Sequence, residues 1–279
     1  NKDLLVDFTG SDWCGWCIKL VDEVFKHDSF KTGVADKFVL VELDFPKDKT
    51  KVDEATHKQN AELQAKYGVR GFPTILLLDS KGRPFAQTGY QAGGPEKYLT
   101  HLDELRAKRV ERDEALAAAE KLEGGAKAKA LVKALQTVPE DHVSHYSEIS
   151  DQVAALDPED ETGFVAANKL KQAKDQLGKD VNAAMRAGKG EEAIAQIDKF
   201  LAEHKIEGEE KQELLGMKMN PLLGAKKFDE AAKVIDELIA AAPESRAAKF
   251  AESFKPRLQQ MKEAAAAEAA ARPPNAIVA

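Results

Sequence analysis

Apolar residues follow two different rhythms along this chain. In the first hundred residues they form short, nearly unbroken runs: Leu4-Leu5-Val6-Asp7-Phe8, Phe38-Val39-Leu40-Val41-Glu42-Leu43-Asp44 and Ile75-Leu76-Leu77-Leu78, with a weaker run over Pro84–Thr88. Runs of this length, bounded by polar and turn residues, predict strands. Residues 14–25 and 54–67 carry helical spacing instead, and a third helix opens near Pro95-Glu96, where proline suits a first turn. Asp79-Ser80-Lys81-Gly82 reads as a hairpin turn between the last two strands. The predicted order is therefore βαβαββα.

From about Leu102 the rhythm changes. Alanine, lysine and glutamate dominate, aromatic residues thin out, and no strand pattern recurs. The helix opened at Pro95 is expected to continue through Arg109 toward Leu122 and to end at Gly124-Gly125. Further helices are predicted over 126–137, 142–155, 163–187, 191–203, 208–223, 228–242 and 245–271, separated by proline, glycine and His204-Lys205 breaks. Residues 191–201 line up with 229–239, an offset of 38 that is near the helix-pair period of tetratricopeptide-like arrays. This gives an α/β domain over 1–109, an all-α, helical-repeat-like domain over 110–271, and a loose tail over 272–279.

Composition narrows the function classes. A chain of 279 residues with 43% hydrophobic content can bury two ordinary cores. Residues 1–109 are formally neutral, so the net charge of −7 belongs to the helical part. Such a surface argues against nucleic acid or an anionic membrane as partner. No apolar stretch is long enough to span a bilayer. The chain begins at Asn1, directly before the first strand, which implies an upstream segment removed by processing.

Both cysteines of the chain lie in Trp13-Cys14-Gly15-Trp16-Cys17, immediately after the first strand. One helical turn brings two such sulfurs within bonding reach, and the first would sit where unpaired backbone N–H groups and the helix dipole favour a thiolate. That makes Cys14 the nucleophile of a reversible disulfide. Two alternatives stand beside this reading, a structural zinc site and an inert short-loop bridge. Zinc would need a second ligand pair, and the only closely spaced histidines, His142 and His145, fall in the helical region. No metal is expected on this ground.

Downstream, Tyr67-Gly68-Val69-Arg70-Gly71-Phe72-Pro73-Thr74 leads into the third apolar run. With Cys-x-x-Cys after one central strand and a proline before the next, the first part of the chain resembles the thioredoxin superfamily, and its minimal βαβαββα core. The stretch from Phe8 to Cys17 is similar to an extracytoplasmic bacterial branch that includes the C-terminal domain of a membrane thiol reductant carrier. The resemblance implies a mixed central sheet, a redox-active Cys14–Cys17 disulfide and no other cofactor. It also implies that Pro73 is a cis-proline against the cysteine pair, with Phe72 and Arg70 bordering a groove for an extended substrate. Trp13 and Trp16 would offer apolar surface to that substrate.

Asp7 matches the position of the family's buried proton-relay acid, although one extra residue separates it from Cys14. A buried carboxylate there would act as a base near neutral pH; the alternative is an acid turned to solvent. The lysine that often accompanies this acid on the following strand is absent from residues 38–44. Residues 46–53, of mixed charge, read as a solvated loop, with a flap at the active-site rim as the alternative. The implied activity is a protein disulfide reductase or isomerase of the bacterial periplasm. It would act on protein thiols and disulfides and be served by a redox partner protein, for which the resemblance implies a membrane reductant carrier. The helical domain would supply partner choice or pair two chains as a homodimer. A rival reading makes the chain a helical-repeat adaptor that uses the first domain for docking.

Overall fold

A computed structural model describes residues 2–271; the tail expected over 272–279 lies outside the described residues. Strands β1 (Asp3–Thr9), β2 (Phe38–Asp44), β3 (Thr74–Leu78) and β4 (Pro84–Thr88) form one sheet in the order β2-β1-β3-β4. β1 runs parallel to β2 and antiparallel to β3, and β3 is antiparallel to β4. β1 and β3 are thus the central strands, which is why their runs are almost continuously apolar.

Alternation along β1 sends its residues to two cores. Leu5 packs with Leu20, Val24, Phe30, Ile75, Leu77 and Tyr98 on one face. Val6 and Phe8 pack with Leu43, Tyr67, Val69 and Leu76 on the other. The first core is covered by α1 (Gly15–Leu20), α2 (Asp28–Ala35) and α4 (Gly94–Ala119), the second by α3 (Glu54–Lys66).

The helix expected over 14–25 differs in detail. α1 is followed by a π-helical turn, Val21–Phe25, in which Lys26 N–H reaches Val21 O at 3.0 Å, and then by α2, which the sequence pattern does not reveal. α2 buries only Phe30 and Val34, one turn apart. It packs close to α4 because Gly33 has no side chain: a Cβ there would lie 2.5 Å from Leu99. α4 ends at Ala119, short of Leu122.

Compact units divide at 1–167 and 168–279, whereas the expected boundary lies at 109/110. The physical reason is a clamp built from the helices that follow α4. α5 (Gly124–Leu135), a 3-10 helix (Glu140–Tyr146) and α6 (Ser147–Leu156) form a third core around Leu131, Leu135, Tyr146 and Val153. The 3-10 stretch occupies the start of the helix expected over 142–155. From it Tyr146 donates to Pro84 O at 2.9 Å, and His142 donates Nε2–H to Gln87 Oε1 at 3.1 Å. Arg112 on α4, fully buried, bonds the Tyr146 hydroxyl and pairs with Asp79 at 3.1 Å and Asp113 at 2.6 Å.

The second unit contains most of α7 (Phe164–Arg186), then α8 (Gly190–Glu203), α9 (Gly208–Gly224), α10 (Phe228–Ala241) and α11 (Arg246–Ala271), with α8 to α11 each packed on the next. The aligned segments bury the same register: Ala193, Ile197 and Phe200 in α8, Ala231, Ile235 and Leu238 in α10. The alanines let neighbouring helices approach closely.

Candidate active site

β1 ends at Thr9, and the chain turns sharply before α1. Cys14 N–H donates to Gly10 O at 2.9 Å, which folds Trp13 back over Gly10. A Cβ at Gly10 would lie 2.6 Å from the Trp13 ring, so only glycine permits this turn. Cys14 is the N-cap residue of α1, with extended backbone, and its sulfur accepts the Cys17 N–H at 3.2 Å. The two cysteines are joined by a disulfide across a Cα–Cα distance of 5.2 Å.

Cys14 is 7% exposed and Cys17 2%, so an incoming sulfur reaches Cys14 first. Backbone N–H groups at the helix start favour negative charge on that same sulfur. Position and access therefore select one cysteine for attack and leave the other to resolve.

The Phe8–Thr74 register sets Pro73 beside Thr9, at the end of the sheet from which the cysteine turn departs. The Phe72–Pro73 peptide bond is cis. Phe72 packs edge-on to Trp13 at 5.9 Å and lies 5.0 Å from Phe45. Trp13 donates its indole N–H to Phe45 O at 2.8 Å, which fixes the ring while leaving it 41% exposed. Trp13, Phe72 and Phe45 make one aromatic wall. Arg70 is exposed and bonds none of these groups among the described residues.

A second wall stands on Trp16. Its ring, 58% exposed, lies 5.2 Å from Tyr90. Lys19 Nζ sits 5.3 Å and 5.0 Å from the two ring centres, and Tyr90 donates its hydroxyl to Glu23 at 2.5 Å. Sequence reasoning misses Tyr90, Lys19 and Glu23. Lys19 and Glu23 are spaced i, i+4 on an exposed helix and read as an ordinary surface pair, and Tyr90 follows β4 in a glycine-rich loop without periodicity.

Pro46 is buried, whereas residues 47–51 and 53 are exposed, and the segment is anchored at one end. Asp12 accepts the Lys47 and Asp48 N–H groups at 2.9 Å and 3.0 Å, and these bonds hold its carboxyl below the usual carboxylate range. Lys47 Nζ lies 5.6 Å from the Trp13 ring. The segment thus borders the first aromatic wall.

Asp7 points to the core face that α1 covers, two residues along β1 from Leu5. It is buried, and its Oδ1 has no hydrogen-bond partner. Burial, reinforced by the charges of Glu42 and Asp44, pushes its pKa up to about 7. The alternative of a solvent-facing acid fails because β1 is central in the sheet.

Residues 1–106 match the family model of the thioredoxin-like domain. A disulfide bond reductase of Chlamydia pneumoniae, DsbH, is 38% identical over 102 residues, covering 37% of this chain and 61% of the relative. DsbJ, a thioredoxin-related protein of the same organism, is 37% identical over 86 residues, 31% of this chain and 24% of that one. The chain thus spans about three fifths of the first relative and a quarter of the second. A solved DsbH oxidoreductase structure is 36% identical, covering 37% of this chain and 72% of that chain, at a TM-score of 0.36.

Proposed function

We propose that the chain is a protein thiol–disulfide oxidoreductase working in the reducing direction through Cys14 and Cys17. The observation that carries this reading is the Cys14–Cys17 disulfide at the start of α1, with the more accessible sulfur at the helix N-cap. A relative named as a disulfide bond reductase supports the direction.

In the dithiol state, Cys14 thiolate attacks a substrate disulfide, forming a mixed disulfide and expelling one substrate thiolate. Cys17, deprotonated by Asp7, then attacks the Cys14 sulfur and expels the second substrate thiolate. The substrate gains two electrons, and the enzyme is left with the Cys14–Cys17 bond. A dithiol protein partner must reduce that bond to complete the cycle; a membrane reductant carrier fits this chemistry. A carboxyl group titrating near 7 suits the proton transfer at neutral pH.

Pro73 and Phe72 align the substrate backbone beside the sulfur pair, and Trp13 and Trp16 provide apolar contact on either side. The reaction needs no organic cofactor or metal. An extracytoplasmic, periplasmic setting accords with the Dsb-type relatives and with the presence of protein disulfides to act upon. The helices beyond the family match would serve partner choice.

The test is dithiothreitol-coupled reduction of a protein disulfide, with Cys14→Ser as the comparison. The wild-type chain should turn over and the variant should fall to background while remaining folded. Retained turnover in the variant would overturn the assignment. Equilibration of the wild-type pair with glutathione or dithiothreitol buffers reads direction: a potential of about −270 mV accords with a reductase, and one of about −120 mV reverses that part of the reading.

A further inference from the structure

The two aromatic walls beside Cys14 differ in charge. On the Trp16 wall the cation is answered, since Lys19 Nζ lies 3.7 Å from Glu23. On the Trp13 wall it is not. Lys47, whose Nζ stands 5.6 Å from the Trp13 ring, is exposed, as are Lys49 and, two residues before Phe72, Arg70. None of these three side chains has an ion pair or a hydrogen bond among the described residues. Contact with an aromatic face leaves an ammonium group its full charge, so Lys47 can still receive an anion.

Acids stand near this wall as well, but they are placed differently. Asp12 accepts the Lys47 and Asp48 N–H groups and lies 3.7 Å from Lys51. Asp44 accepts the N–H and the hydroxyl of Ser11 at 2.9 Å and 2.6 Å. Asp48 does the same for Thr50 at 3.0 Å and 2.7 Å, and Asp53 caps α3 by accepting the Thr56 N–H at 3.0 Å. Each carboxylate is thus engaged by donors of the chain itself, while Lys47, Lys49 and Arg70 are left to solvent. The Asp12 bonds also fix the Lys47 backbone two residues past Phe45, which tethers its ammonium group beside the wall.

We propose that the Trp13 wall selects protein disulfides flanked by acidic residues, with Lys47 and Arg70 receiving a carboxylate of the substrate segment that lies along Phe72 and Pro73. The proposal rests on the reducing activity through Cys14 and names the substrates that it serves. An extended segment advances about 3.3 Å per residue, so the residues that meet this wall are the near neighbours of the substrate cysteine. Complementary charge at such a place governs which partner is captured and how fast. The net charge of −7 on the whole chain works the other way, favouring basic partners, so a preference for acidic ones can come only from local charge.

The experiment mixes the full chain, reduced beforehand and freed of reductant, with either of two peptides that share one internal disulfide and differ only in having glutamate or lysine beside its cysteines. The rate constant for each peptide is divided by that peptide's own rate with dithiothreitol, which removes the effect of the flanks on the disulfide itself. The wild type should favour the glutamate peptide about fivefold at low ionic strength, and the preference should shrink in about 0.5 M salt. The double variant Lys47→Glu with Arg70→Glu should invert the preference by reacting faster than the wild type with the lysine peptide, a gain that a misfolded protein cannot give. Equal rates for the two peptides in the wild type, or an unchanged preference in the variant, would overturn the proposal and leave the redox reading standing. Reduction of neither peptide by the wild type would overturn both.

Discussion

Two buried aspartates, one at each end of the central sheet strands, show how the partners of a buried carboxyl decide whether it holds or sheds its proton. Asp79 follows β3 and accepts N–H groups from Lys81 and Arg83 at 2.9 Å and 3.0 Å, together with Arg83 Nε at 2.9 Å. Arg112 adds its charge at 3.1 Å. Burial alone would raise this carboxyl, but the Arg83 bonds and the two guanidinium charges hold it below the usual carboxylate range. Asp7 has the same burial without those partners, and only acids nearby, so it rises to about 7. A fully satisfied carboxylate stays charged and fixes structure; a poorly satisfied one exchanges its proton where an enzyme can use it.

The largest effect expected from breaking this contrast is on the Asp79 side. Arg112→Ala removes the cation that joins Asp79, Asp113 and Tyr146 and leaves buried polar groups without their partner. Removing one member of a buried charged network costs about 3–5 kcal/mol. Urea unfolding of the first unit should show a loss of this size, while disulfide turnover per folded molecule stays unchanged. A loss below about 1 kcal/mol would mean that the clamp is not what joins the helices after α4 to the sheet. By the same argument a chain cut at residue 109 should be less stable than one cut at 167, because it lacks Arg112, His142 and Tyr146.

Asp7→Asn should act in the opposite direction. The unfolded carboxyl titrates near 3.8 and the native one near 7, so below pH 3.8 both states hold the proton and nothing is gained or lost. As pH rises from 3.8 to 7 the unfolded state ionises first and native stability falls, by about 4 kcal/mol in all. Above pH 7 both states are ionised and the penalty stays. The amide variant escapes it but buries its own unpaired group, at about 1–3 kcal/mol. A net gain of about 2 kcal/mol is therefore expected at pH 8 and none at pH 3.5, with slower resolution of the mixed disulfide at neutral pH. Equal stability of the two proteins at pH 8 would show that Asp7 is not a strained acid.

The two aspartates also mark what a sequence can disclose. The strands, the cysteine pair and the Phe72-Pro73 element are legible because each is a local pattern. Whether Asp7 is buried depends on β1 lying between β2 and β3, a pairing decision made by residues more than thirty positions away. Arg112 reads as one more surface charge on a charged helix, since its partners are Asp79 before it and Tyr146 after it. That is why the expected boundary at 109 misses the clamp. Tyr90 has no periodicity to betray it, and α2, with only Phe30 and Val34 buried, lacks an apolar stripe long enough to announce a helix. The second unit is the reverse case: its repeated register is plain in the sequence, yet an apolar groove between α9 and α11 emerges only when the helices are packed.

The smallest of these effects concerns the histidines where the clamp meets the sheet. His142 is buried, donates Nε2–H to Gln87, and leaves Nδ1 without a partner. Burial lowers its pKa, against the opposing pull of Asp141. His145 lies 5.1 Å from the Tyr67 ring and is lowered by burial, then by the charges of His142 and Lys66. Both rings are thus neutral in the folded state at neutral pH. As pH falls through the unfolded value of 6.5, the unfolded chain binds protons that the native rings refuse, so native stability falls with acid. His142→Gln keeps a group able to donate to Gln87 and removes one of these protons. Its unfolding free energy should depend less on pH between 7 and 5 than that of the wild type, with little difference at pH 8, where neither ring is charged in either state. A parallel pair of pH profiles would show that acid sensitivity at this junction does not come from His142. The contrast between the two aspartates then has a third member, a buried base whose half-satisfied ring favours its neutral form just as Asp7 favours its neutral acid.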